Sequence, residues 1–257
     1  MSAPSAVPAA ARAVQADWDR LAAGVPEPSG RFDPEQVARL PEPARRWLLH
    51  AIAPGTALAG SVELTMRGQI RLGAWRPFTA RQVLTPDGFI WAATARVAGL
   101  PVTGFDRYSA GTGQMRWRLL GLLPVMSGTG PDLTRSAAGR LAAEATTLLP
   151  TAFDRISWTP GSEPDTAVAT RRIGGQEETV QLRVGADGGL HEVLVQRWGN
   201  PDGQPYGRYP FGVVVEDEHP FRGVTLPSAL RAGWWWGTDR QDAGEFFRAE
   251  ITDAVFG

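Results

Sequence analysis

From Ser61 onward the chain repeatedly alternates apolar and polar side chains. Val62, Leu64, Met66, Ile70 and Leu72 are apolar, while Glu63, Thr65, Arg67, Gln69 and Arg71 between them are polar. A period of two is the signature of a half-buried strand. Similar runs follow over 76–85, 88–97, 102–110 and 113–119, parted by turns such as Pro86-Asp87-Gly88. A helical interval occupies 131–149, with Leu133, Leu141, Ala145 and Leu148 as its apolar stripe and Pro150 as its stop. Strands then resume at about 152–159, 166–173, 178–185, 190–198, 208–219, 224–236 and 246–256. Short turns between them predict antiparallel neighbours. A sheet of so many long strands cannot stay flat. The predicted fold is α+β: a strongly curved antiparallel open β-barrel, or half-barrel, whose concave side is covered by N-terminal helices and one mid-chain helix.

The first sixty residues read differently. Val14, Trp18 and Leu21 recur at i, i+4 and i+7, one stripe of a helix ended by Pro26 and Pro28. Asp33-Pro34-Glu35 reads as a helix start with Asp33 as N-cap. A further short helix brings Leu40, Trp47 and Ala51 to one side before Pro54-Gly55. The expected organisation is an N-terminal helical extension over 1–30 and a single curved-sheet domain over 31–257.

Several function classes drop out on composition. All 26 basic residues are arginine, which removes a Schiff-base or phosphate-loop lysine. There is no cysteine, so disulfides and thiolate chemistry are absent. The net charge of −1 supplies no field to attract nucleic acid. His50, His191 and His219 are scattered without metal-ligand spacing, so no metal is expected. Neither a nucleophile elbow nor a dinucleotide-binding glycine motif is present, and no cofactor is expected. The N-terminus makes a poor signal peptide, and no apolar run approaches the roughly 20 residues of a membrane span. A cytoplasmic protein without stable membrane insertion is the expectation.

The chain holds 10 tryptophans, three of them consecutive at Trp234, Trp235 and Trp236. Strand parity groups Leu226, Leu230, Ala232, Trp234 and Trp236 on the more apolar face. Trp234 and Trp236 should then line the interior, with Trp235 outside against Arg231. The same logic places Phe89 and Trp91 on one face, and Met115, Trp117 and Leu119 on another. A cup lined by Trp234, Trp236, Trp91, Trp117, Met66 and Phe211 suits a bulky apolar ligand. The alternative is that these rings are core filler.

Two clusters carry possible chemistry. In "VVVEDEHPF" (213–221), parity puts Asp217 and His219 on the face of Phe211, Val213 and Val215, where they would serve as acid and base. The alternative is a strand end reaching solvent. In "FDRYSAGTGQMRWR" (105–118), Asp106 and Tyr108 alternate with Phe105 and Arg107, and a buried Asp–Tyr–Arg network there would donate to a ligand carbonyl. Its alternative is a network that pins a hairpin together.

The spaced segments "LPEPARRWL" (40–48), "RLGAWRPFTARQ" (71–82), "PDGFIWAA" (86–93), "FDRYSAGTGQMRWRLLGLLPV" (105–125) and "RLAAEATTLLPTAF" (140–153), with the C-terminal "GVTLPSALRAGWWWG", carry a resemblance. Over about 38–257 the chain resembles a bacterial domain family of unknown function. That family is similar in fold to the lipoprotein-localisation carriers, which implies a curved half-barrel with helices closing a hydrophobic cavity. No catalytic residue transfers from it, and "VVVEDEHPF" departs from its plainer pattern. The functional expectation is binding of a bulky hydrophobic small molecule by a cofactor-independent cyclase, isomerase or lyase. The alternative is a noncatalytic carrier or sensor of a lipophilic ligand.

Overall fold

The computed structural model describes residues 6–24 and 30–257. Thirteen antiparallel strands form one open sheet. The first six make a meander: β1 (Val62–Leu72), β2 (Ala74–Thr85), β3 (Gly88–Val97), β4 (Leu100–Ser109), β5 (Thr112–Leu119) and β6 (Leu123–Gly128). Helix α3 (Pro131–Thr147) then crosses to the far edge. The second meander returns through β7 (Ser157–Pro160), β8 (Thr166–Ile173), β9 (Gln176–Val184), β10 (Leu190–Gly199), β11 (Gly207–Phe221), β12 (Val224–Trp234) and β13 (Glu245–Phe256). β13 pairs with β1, from Val62 opposite Phe256 to Ile70 opposite Phe247, and so joins the meanders at the middle of the sheet.

β1 keeps its alternation, and Val62, Leu64 and Met66 are buried on the concave side. β6 goes beyond the sequence reading. Its residues Leu123, Val125 and Met126 are apolar yet exposed at the sheet edge, so no alternation marks them as strand. Half of the strand expected at 152–159 lies in the 3-10 turn Pro150–Arg155, and the strand that pairs with β8 is Ser157–Pro160.

The N-terminal helices divide between the two faces. α2 (Glu42–Ala51) buries Trp47, Leu48 and Ala51 in the concave core, together with Leu141, Ala142 and Ala145 of α3. α1 (Gln15–Ala22) packs on the convex face instead. Its Trp18 and Leu21, with Val14, meet Val83, Ile90, Ala92 and Phe105, which have the opposite parity to the concave Leu84, Phe89 and Trp91. The predicted stripe therefore exists and covers the outside of β2–β4. Asp33 caps its 3-10 turn as expected: its carboxylate accepts from the Glu35 amide, and the Gln36 side chain accepts from the Asp33 amide.

At one end the two halves of the curled sheet touch. The buried Arg171 of β8 donates to the Pro86 carbonyl in the β2–β3 turn at 2.7 Å. The Tyr108 hydroxyl of β4 lies against Gly174 in the β8–β9 turn, where a Cβ would come within 2.8 Å. Trp18 is 1% exposed. Trp18→Ala should therefore cost about 3–5 kcal/mol in denaturant unfolding. A loss below about 1 kcal/mol would show that α1 contributes little to the convex face.

Candidate functional site

A continuous belt of aromatic rings runs along the concave face. Trp117 of β5 meets Trp91 of β3 at 5.7 Å between ring centres. Trp91 meets Phe78 of β2 at 5.6 Å and Phe247 of β13 at 6.0 Å. Phe247 leads through Phe246 to Phe211 of β11, which meets Trp234 of β12 edge-on at 5.2 Å. Strand parity alone cannot put the consecutive Phe246 and Phe247 on one side. The register of β12 and β13 slips there, with Ala232 opposite Phe247 and Gly233 opposite Glu245, and this bulge brings both rings against the core. The Trp91 indole nitrogen donates to the Met66 sulfur at 3.3 Å. Gly104 leaves room for Trp117, since a Cβ there would lie 2.5 Å from the indole.

Polar groups stand between this belt and α3. The Trp117 indole donates to Asp106 at 2.9 Å, and Arg140 of α3 reaches the other Asp106 oxygen at 3.3 Å. Arg140 also donates to Glu144 at 2.6 Å, whose second oxygen accepts from Gln82 at 2.6 Å. The Arg140 guanidinium lies over the rings of Phe89 and Trp91. Arg197 of β10 lies over Phe211 at 4.9 Å and Trp234 at 5.2 Å. Burial pushes the Asp106 carboxyl above its usual range, against the opposing pull of Arg140, and pushes Arg197 down to about 10. Yet a quarter of the Asp106 side chain and about a fifth of those of Arg140 and Glu144 stay accessible (25%, 18% and 22%). Asp106 is thus desolvated yet still partly reachable, with Arg140 and Glu144 beside it between α3 and the belt. Trp234, Phe246, Phe247, Met115 and Leu119 are half-buried on the same face.

Five of the six residues expected to line the cup come together on this face: Trp91, Trp117, Met66, Phe211 and Trp234. Trp236 does not. β12 ends at Trp234, and Trp235 takes a φ of 62°, which breaks the alternation. Trp236 therefore folds over the convex face, where its ring occupies the space of a Gly212 Cβ and its nitrogen donates to Glu192 at 2.6 Å. Trp235 stacks under Arg240 at 3.9 Å and donates to Asp202, while Arg231 pairs with Glu216 and Glu245 instead.

The expected acid–base pair is not built. β11 carries register shifts on both sides of Asp217, and Asp217 and His219 are both exposed. Asp217 accepts from the Glu218 amide, and His219 leans on Phe221 at 4.9 Å. Glu218 between them turns to His50 of α2 at 3.0 Å, and burial raises its carboxyl above the usual range. Asp106 and Tyr108 share the concave face, but they serve different places. Tyr108 lines a hollow of about 470 Å³ at the closed end, with Arg20, Asp87, Ser109 and Arg172. Its phenol is raised by burial and by Asp87. A second hollow of about 360 Å³ lies between Glu42, Arg46, His50 and Asp187. Among the described residues no three His, Asp or Glu side chains converge as a metal site would need.

Sequence reasoning missed Arg197, Arg140, Phe78 and the Phe246–Phe247 pair. Arg197 had a readable signal, because Val193, Val195 and Arg197 share one parity on β10. The phenylalanine pair had none, since a bulge removes the period that parity relies on.

The model of a family of unknown function, DUF6544, matches residues 30–246, and the chain belongs to that family. No curated protein matches the chain. Among solved structures, a LolA superfamily protein from Nitrosomonas europaea is 10% identical with a TM-score of 0.40, over 77% of this chain and 86% of that one. A DUF1329 family protein from Desulfovibrio piger is 10% identical with a TM-score of 0.35, over the same 77% and 86%.

The raised Asp106 carboxyl sets a pH signature. A folded-state pKa above the unfolded one gives stability that is present at low pH and lost as pH rises through the folded value. Asp106→Asn removes that dependence. Wild type should therefore gain on Asp106→Asn as pH falls from 7 towards 4, read as the difference in melting temperature. A difference that stays constant over that range would mean that Asp106 is not desolvated.

Proposed function

We propose that this member of the DUF6544 family binds a bulky hydrophobic small molecule in the crevice beneath α3 and holds it without transforming it. The carrying observation is the accessible surface that Asp106, Arg140 and Glu144 keep beside a belt of half-buried rings. Such a site is concave and mostly apolar, with a few fixed polar groups, as small-molecule sites are. The rings are held by their neighbours, so little side-chain freedom is lost when a ligand arrives.

A catalytic reading finds little support in these side chains. Asp217 and His219 stand exposed on a bulged strand and do not meet the belt. Asp106 is engaged by Trp117 and Arg140, an arrangement that fixes a carboxylate rather than frees it for proton transfer.

The test is native mass spectrometry of the gently purified protein beside an organic extract of the same sample. A lipophilic species at near-stoichiometric amount is expected. Trp234→Ala should weaken binding of a fluorescent fatty acid about tenfold, or about 1.4 kcal/mol. A protein that carries no such species and shows no tryptophan quenching with apolar ligands would overturn the proposal.

A further inference from the structure

We infer that the crevice selects an amphiphile with a single carboxylate head, and that the guanidinium of Arg197 receives that head. This rests on the binding reading above and names the ligand class for the same site.

Arginines around the crevice are generally satisfied by protein. Arg140 holds Glu144 and Asp106. Arg208 holds Glu178 with two donors and the Gln196 carbonyl with a third contact. Arg197, like Arg76 and Arg135, is not so satisfied, and of these three it is the one that lies over rings of the belt. It makes no hydrogen bond or ion pair with any described residue, and its Nε is buried without an acceptor. Its contacts are ring faces, Phe211 at 4.9 Å and Trp234 at 5.2 Å. Neither ring supplies an acceptor for the N–H fork of the guanidinium, and that fork fits a carboxylate with two parallel bonds.

A desolvated cation without an acceptor is costly, and an incoming anion removes much of that cost. The group is still charged near neutral pH, since burial lowers it only to about 10. The charges that face it are Arg140, Glu144 and Asp106. Arg140 adds a second positive pole, while the two carboxylates disfavour a doubly charged phosphate head. The ring belt starts at Phe211 and Trp234, the rings that touch Arg197, and continues to Trp117. A head on Arg197 would therefore lay its hydrocarbon tail along the belt.

The experiment titrates the full chain with oleate, methyl oleate and oleyl alcohol below their aggregation limits, with tryptophan quenching as readout. Wild type should bind oleate at least about tenfold more tightly than the ester or the alcohol. Arg197→Met should remove that preference, with oleate and methyl oleate bound about equally, and Arg197→Lys should keep part of it. Equal wild-type binding of all three overturns the carboxylate inference and leaves the hydrophobic site intact. Absence of binding by all three overturns the site itself. The wild-type comparison needs no variant, so it decides the matter even if Arg197→Met does not fold. Where Arg197→Met folds, a preference for oleate that survives in it also overturns the role of Arg197.

Discussion

A helix of 17 residues links the two outermost edges of a thirteen-stranded sheet. At about 4.8 Å per strand, a flat sheet of that order would be about 58 Å wide. The helix is about 26 Å long. Because this one short helix packs against strands near both edges, the sheet must curl around it. Curvature, strap and crevice are thus one constraint. α3 reaches β4 and β5 on one side and β8, β9 and β10 on the other. Its sheet-facing residues are small, among them Ala137, Ala138, Gly139 and Ala142, so the helix settles close to the sheet.

This arrangement places charge and aromatic surface together. Arg140 and Glu144 are one helical turn apart on α3 and face Asp106 and Gln82 of the first meander. Arg197 approaches from the second meander, so the crevice draws on both halves and on the strap between them. The Arg140–Asp106–Glu144 set ties α3 to β4 and keeps its own charges paired. Arg197 brings a guanidinium to Phe211 and Trp234 without a protein acceptor among the described residues.

Most of the fold was legible because alternation is a local property. β1 to β5 and β8 to β10 follow the parity of their own residues, as Val62, Leu64 and Met66 illustrate. Legibility failed wherever the period broke. Trp235 in a left-handed conformation sent Trp236 to the convex face. Shifts around Asp217 turned Glu218, rather than its neighbours, towards His50. The face of the sheet that a helix covers is not a local property either. The Val14–Trp18–Leu21 stripe predicts burial but not that its partners are Val83, Ile90 and Phe105 on the outside.

The pairing of β1 with β13 has a consequence for how the chain is made. Thr65 sits opposite Asp253, almost the full length of the domain away in sequence. A ribosome delivers β1 long before β13, so the middle of the sheet stays open until β13 emerges. Until then β1 presents an unpaired hydrogen-bonding edge, with Val62, Leu64 and Met66 beside it. Domains dominated by such distant pairings fold slowly and expose unfinished edges to neighbouring chains. In the nascent first meander, that edge is left open to neighbouring chains.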